Sequence, residues 1–488
     1  MTTSYLIYDF ETDGSDPRTC RPLQVAWQRF DLDLNPIEDP VSMYVKPAPD
    51  RLPHPRAIEI TGISLAQCAA EGVSDAEVFR RLHTEVKRPG TCSFGWNSRR
   101  FDNEILRFGF WRNFLPSYEH ESRQGCDAWD AIDLARAACA LRPDGLIWPT
   151  KEDGTPSFKL DILAPANGFD HADAHDAMAD VNATAHIATR LQASAPKLWA
   201  FARTLSDTET VRSIVSDKPF IHVTSRIRAA DFCTAPFMVV AQTPDRRNEV
   251  IAWNLRQDPT EALDADEATL RRRIFTRQDD LEDGETRFGV KKIKLNAAPI
   301  VAPLGVLSEH DANRLGVDLG EIERYSQQLR DHGAQLRDRL IAVHSDPLPP
   351  RTDPDDALYG GDFPSKVDLA VSRGIPDTAP PDLHLLERRF RDARFTGLLL
   401  HYIARNHSEC LNDAQRAAWT QRTHDRLLDP PSRDDLGWDD WCAEMATCIA
   451  AVSAEIRPAL EAAQAHGLQV GAAVGLTRDV ATQGGVAS

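Results

Sequence analysis

The stretch YLIYDFET, residues 5–12, sets two carboxylates inside a run of aromatic and branched side chains. Such a run, closed by the turn-forming pair Asp13-Gly14, predicts a β-strand. Alternate strand residues share a face, so Leu6, Tyr8 and Phe10 point one way and Ile7, Asp9 and Glu11 the other. Two like charges held side by side near an apolar core repel each other and lose their water. A divalent cation bound through oxygen relieves both costs. A salt-bridged pair at a strand end is the alternative. The other Asp-x-Glu triplets, Asp75/Glu77, Asp280/Glu282 and Asp283/Glu285, stand in polar surroundings and read as solvated acids.

Outward from that strand the first 200 residues read as α/β. LQVAWQRFDL (23–32) and PVSMYVK (41–47), joined at Asn35-Pro36, predict two further strands in an antiparallel meander with the first. A helix is expected near Asp75–Lys87, then a short buried strand in TCSFGWN (91–97). RFDNEILRFGFW (100–111) changes period, with Phe101, Ile105 and Phe108 at helical spacing. WDAID (129–133) and LARAACAL (134–141) predict strand then helix, and HDAMADVNATAHIATRL (175–191) a helix with Met178, Val181, Ala185 and Ala188 on one face. Three strands followed by alternating helix and strand point to a mixed sheet with helices packed on it. From about residue 204 to 348, short strand-like runs and one charged helix near 260–275 predict a small β-rich, barrel-like domain. HSDPLPPRTDPDDALYGGDFP (344–364) reads as a linker, and the remainder as helices, including 385–406 and 435–466. The tail after about residue 476 is expected to be disordered.

At 488 residues the chain is too long for one ordinary domain. A cytoplasmic protein is expected. The chain opens without a signal-peptide pattern, and its most apolar run, FTGLLLHYIA (395–404), is far short of a membrane span. Nine cysteines without a C-x-x-C pair favour a reducing compartment. A net charge of −18 argues against a general polyanion binder, though local clusters such as Arg99-Arg100 and Arg271-Arg272-Arg273 remain.

Two further acids stand where site residues gather. Asp102 opens a helix directly after a buried strand, where a helix-capping role is the alternative. Asp180 lies inside the helix that His175 opens, a place disfavoured for an aspartate unless something uses it. Asp173 and Asp176 read as cap and first-turn acids. Asp9, Glu11, Asp102 and Asp180 could hold two divalent metals for phosphodiester displacement, with His175 taking a proton from water.

The motifs YDFET, RFDNE and HDAMADV resemble those of the DEDDh group of 3′→5′ exonucleases, and the chain is similar to the bacterial exonuclease I family. The likeness extends through KPAPDRLPHPRAIEITGIS (46–64), ALRPDGLIWP (140–149), PSFKLDILAPANGFDHADAHDAMADV (156–181), DANRLGVD (311–318), ALYGGDFPS (357–365) and HYIARNHSECL (401–411), and so is full-length. It implies a ribonuclease H-like exonuclease domain at 1–202, an SH3-like β-rich domain at 203–350, a linker over a DNA groove at 351–356 and a helical domain at 357–488. It implies Asp9, Glu11, Asp102 and Asp180 as ligands of two Mg²⁺ ions, with Mn²⁺ as a substitute, and His175 as general base. The product would be 5′-mononucleotides from single-stranded DNA, in DNA repair and recombination. One departure is Asn103, where the family often has a second aspartate; it touches no ligand.

A single strand can thread a narrow groove, stacking bases on aromatics and setting phosphates against cations. Phe10, Trp96, Asn97, Arg136 and Lys159 are the candidate contacts, with a core role as the alternative for Phe10 and Trp96. The resemblance also implies binding of the acidic, Phe-ending tail of single-stranded DNA-binding protein, through Arg142 and more weakly Arg337, by a monomer associated with the nucleoid through DNA. Competing readings are a DEDDh exoribonuclease acting on short RNA, a decayed nuclease serving as a scaffold, and a phosphatase-like hydrolase. The last is disfavoured because no phosphate-cradling Gly-rich loop is seen.

Overall fold

The computed structural model describes residues 2–170, 175–244, 246–346 and 351–477. The chain folds as two compact units, one of residues 1–127, 172–182 and 350–488, the other of 128–171 and 183–349.

In the first unit the opening stretch is the strand β1 (Ser4–Thr12). It pairs antiparallel with β2 (Pro22–Phe30), which pairs antiparallel with β3 (Val41–Tyr44), forming the expected meander. On its other side β1 pairs in parallel with β4 (Thr91–Phe94), and the two-residue β5 (Asp127–Ala128) completes the order β3-β2-β1-β4-β5. The face carrying Leu6, Tyr8 and Phe10 packs with Val25, Trp27, Phe79, Leu82, Ile105 and Phe110 in an apolar core. The helix Asp75–Val86 begins where the Ser74 hydroxyl accepts from the Glu77 N–H at 3.2 Å. It meets the helix Asp102–Arg112 closely at Gly109, where a Cβ would fall 2.1 Å from the Phe79 ring.

The second unit holds an antiparallel sheet in the order β10-β6-β7-β8-β9, from β6 (Phe220–Val223), β7 (Thr234–Gln242), β8 (Glu249–Asn254), β9 (Val290–Lys294) and β10 (Ile300–Pro303). Each follows one of the strand-like runs of the sequence. The charged segment near 260–275 is two helices, Thr260–Asp264 and Glu267–Phe275, because Asp266 caps a new helix by accepting from the Thr269 N–H at 2.8 Å.

Further expectations are corrected. WDAID is not a strand: the strand is Asp127–Ala128, and the Asp130 carboxylate accepts from the Ile132 N–H at 3.2 Å, starting the helix Ala131–Leu141. The run at 385–406 is an α-helix only over Ala393–Asn406, which Asp392 caps by accepting from the Arg394 N–H at 2.9 Å, after the tighter 3-10 helix Pro380–Arg389, and the run at 435–466 is two helices, Trp438–Ala451 and Arg457–Ala473. The segment read as a linker, 344–364, holds the short helix Pro354–Tyr359, in which Asp355 and Asp356 are buried. Asp173 and the tail from residue 478 lie outside the described residues. Among the described residues, no helix is long and apolar enough to cross a membrane.

Candidate active site

The edge of β1 changes partner where the acids begin. β4 follows β1 only from Ser4 to Ile7 and then leaves. Gly95 permits this departure, because a Cβ there would lie 2.6 Å from the Tyr8 carbonyl. Beyond that point the Phe10 N–H donates to the Asp102 carboxylate at 3.2 Å. Phe101 stands at the cap of the following helix, so Asp102 is its first residue rather than its cap. The Tyr8 hydroxyl donates to the Asn103 side-chain carbonyl, tying the same helix start to β1 again.

The third segment arrives through the helix Ala177–Ser194, with Asp180 in its first turn. The Asp176 carboxylate caps it, accepting from the N–H groups of Met178 at 3.0 Å and Ala179 at 3.1 Å. Gln24, paired opposite Glu11 in the sheet, fastens this helix start to β2. Its amide donates to Asp176 at 2.8 Å, and its carbonyl oxygen accepts from the Ala177 N–H at 3.2 Å. Asp176, read with Asp173 as a cap and first-turn acid, is the cap; sequence reasoning missed Gln24, for which the available signal was an amide inside a buried strand.

His175 is exposed and precedes the helix with a φ of 71°, a left-handed conformation uncommon outside glycine. Ligand atoms of Glu11, His175 and Asp180 all lie within 4.8 Å of one another. Loss of water raises Asp9 well above the usual carboxylate range, and the charges of Asp102, Asp180, Glu11 and Asp176 raise it further. Glu11 is pushed up to about 9, first by burial and then by Asp180, Asp102 and Asp176.

A second group with metal-ligand types, Asp353, Asp355 and His401, shows the opposite electrostatics. Arg405 and Arg422 hold Asp355, Arg422 at 2.9 Å, and Arg426 holds Asp353 at 2.7 Å. Despite its burial, Asp355 is held well below the usual range, by Arg405 first and then His401 and Arg422. Its charge is already balanced by guanidinium groups. At Asp9 and Glu11 the strongest neighbouring charges are other carboxylates, so this donor set fits a divalent cation bound through oxygen.

Of the other candidates in the first unit, Phe10 is in the core at 4 % exposure with its ring against Phe79. Trp96 is half-buried, and Asn97 is exposed in a left-handed turn. The remaining candidates belong to the second unit. Arg136 is buried and paired with Asp133 at 2.5 Å, whereas Lys159 is exposed at the start of the helix Leu160–Ala166. Arg142 is exposed and donates to the Leu141 carbonyl; Arg337 is exposed and donates to the Val240 carbonyl at 3.2 Å.

Residues 6–188 match the family model described as Exonuclease, 206–346 the Exonuclease I SH3-like domain, and 352–469 the Exonuclease I C-terminal domain. Exodeoxyribonuclease I of Escherichia coli K12 is 36% identical over 424 residues, covering 86% of this chain and 89% of that protein. Exodeoxyribonuclease I of Haemophilus influenzae is 33% identical over 435 residues, covering 87% and 90%. The structure of E. coli exonuclease I with a dA16 oligonucleotide is similar at a TM-score of 0.90 and 33% identity, over 96% of this chain and 100% of that one. A zinc-bound form of the E. coli complex with single-stranded DNA matches at 0.89 and 33%, with the same coverage.

Proposed function

The chain belongs to the exonuclease I family, and from that premise we propose that it removes 5′-mononucleotides from the 3′ end of single-stranded DNA by metal-dependent hydrolysis. The observation that carries this reading is the convergence of Glu11, His175 and Asp180, with Asp9 and Asp102 in the same field of carboxylates.

The reaction depends on a divalent cation. The finer proposal is two Mg²⁺ ions, replaceable by Mn²⁺, held by Asp9, Glu11, Asp102 and Asp180. Cations bound there supply the positive charge that activates water and stabilises the oxygens entering and leaving phosphorus. The chain's own groups do the rest. Asp102 accepts the Phe10 N–H and keeps the helix start beside β1. Gln24 and Asp176 hold the turn that carries His175 and Asp180. His175 takes the proton of the attacking water.

Single-stranded DNA is the bound polymer. Trp96, Asn97 and Lys159 are proposed to line its path, while Phe10 and Arg136 support the fold from within. The proposed domains are 1–202, 203–350 and 357–488, with 351–356 as the linker. The proposal also includes a monomer in the cytoplasm, work in repair and recombination, and capture of the tail of single-stranded DNA-binding protein. Arg142 would meet the tail carboxylate, with Arg337 as a secondary contact. Arg142→Ala should then lower tail-peptide affinity; unchanged affinity removes that partner.

The test of the activity is digestion of 5′-labelled single-stranded DNA, duplex DNA and RNA with Mg²⁺. Progressive shortening of the single-stranded DNA alone is expected. Preferential RNA digestion would favour the exoribonuclease reading, and binding without hydrolysis the scaffold.

A further inference from the structure

Glu11 is the last acid on β1, and the ladder that holds it is interrupted one residue later. The pairing of β1 with β2 shifts register between Glu11 and Thr12, so strand hydrogen bonds alone do not fix the direction of the chain there. Asp13 takes over. Its N–H donates to the Arg21 carbonyl at 3.0 Å, and its own carbonyl accepts from the His54 N–H at 2.7 Å. Its carboxylate accepts from the Arg21 N–H, also at 2.7 Å. Asp13 is only 4 % exposed, and a charge so buried is held only when it is paired. The partner is Arg51, whose Nε lies 2.8 Å from the carboxylate.

Arg51 reaches further than Asp13. The same guanidinium donates to the Thr19 carbonyl and to the Asp435 carboxylate, the latter at 3.2 Å. A second tie runs beside it, from the Ser432 hydroxyl to the Asp16 carboxylate at 2.6 Å. The loop leaving the acid-bearing strand is therefore braced twice by residues 432–435, within the segment that matches the Exonuclease I C-terminal domain. Arg56 and Glu444 form another pair between the same two regions, at 2.7 Å, but Arg56 is half exposed and its other ion-pair partner is Glu59. The Asp13–Arg51–Asp435 chain differs in where it ends: two residues beyond Glu11, on the far side of the bulge.

We propose that Arg51 is a positioning residue for the cation site, holding Asp13 against Asp435 and so fixing the bulge that aims Glu11. This rests on the metal-dependent reading above. The test measures Mn²⁺ binding to the full-length, DNA-free protein by electron paramagnetic resonance, beside the Mg²⁺ dependence of hydrolysis. Arg51→Met should weaken Mn²⁺ binding about ten- to a hundredfold, as loss of a group that orients a metal ligand does. Asp435→Asn, which keeps the Asp13–Arg51 pair, should weaken it about three- to tenfold. In both, half-saturation by Mg²⁺ should rise, while KM for single-stranded DNA at saturating metal stays within about twofold of wild type. In a Glu11→Gln background, Arg51→Met should weaken Mn²⁺ binding no further, because it acts through Glu11. Arg56→Met should leave Mn²⁺ binding unchanged. Wild-type Mn²⁺ affinity in Arg51→Met, or in Asp435→Asn should the first variant not fold, would overturn the proposal. So would an equal loss in Arg56→Met, or full additivity of Arg51→Met with Glu11→Gln. A wild type that binds no Mn²⁺ would instead defeat the cation reading itself.

Discussion

Glu11 and Asp355 are both buried carboxylates, and their neighbours drive them apart. Glu11 faces other acids and is raised to about 9; Asp355 faces arginines and is lowered. That contrast separates the candidate cation-binding cluster from an ion-pair cluster of similar composition. The alternation of YLIYDFET made Asp9 and Glu11 legible as a pair. His175, one histidine among 15, was legible through its place five residues before Asp180 and through the motif HDAMADV, but nothing in its neighbours announces the left-handed backbone at that position. Replacing His175 with alanine should lower kcat about 10²- to 10⁴-fold, with partial rescue by added imidazole. A variant that recovers full rate simply at higher metal concentration would make His175 a ligand beside Glu11 and Asp180 instead of the base.

At the scale of elements, strands and helices were readable where one period dominated. The runs at 220–225 and 290–295 contain the strands Phe220–Val223 and Val290–Lys294. Reading failed where a side chain overrode the pattern. Asp130 begins a helix inside WDAID, and the acids at 353–356 find arginines distant in sequence. Partners contributed by residues 405–426 leave no local trace at 353. Gly109 is a further case: as a glycine inside a helix it reads as a weakness, yet it admits the Phe79 ring. Gly109→Ala should destabilise the protein by about 1–3 kcal/mol through overpacking. Chemical denaturation measures this, and Phe79→Leu in the same chain should recover part of the loss. A neutral Gly109→Ala would mean the two helices have room to separate.

For the whole molecule, the two acid clusters give stability opposite slopes with pH. Asp9 and Glu11 are raised on folding, so the metal-free folded state binds protons that the unfolded chain releases. Their contribution is complete below the ordinary carboxylate range and is lost as pH rises, for Glu11 between 4.5 and about 9. Asp355 and Asp50, which pairs with the same Arg405 at 2.6 Å and Arg422 at 2.7 Å, are lowered, so their contribution is complete above that range and is lost as pH falls below it. The melting temperature of the metal-free protein should peak at mildly acidic pH. Mg²⁺ should raise it most on the alkaline side. Asp355→Ala should cost about 3–5 kcal/mol, because it leaves buried guanidinium charge without a partner. A metal-free melting curve flat across this range would contradict the electrostatic account. The family and the three matched regions were legible because the motifs recur along the whole chain. The ion-pair cluster that holds residues 353–356 within the first unit was not, because its members are scattered from Arg21 to Arg426.

The central claim is that the acids converging on β1 hold the cations used to hydrolyse single-stranded DNA. Its most direct test is release of label from 3′-labelled single-stranded DNA across a Mg²⁺ titration, wild type beside Asp180→Ala. Wild type should release mononucleotide at once and only with the metal present. The variant should fall by at least about a hundredfold at every metal concentration, as loss of preorganised transition-state stabilisation requires. An Asp180→Ala protein that digests the strand at the wild-type rate would contradict the account.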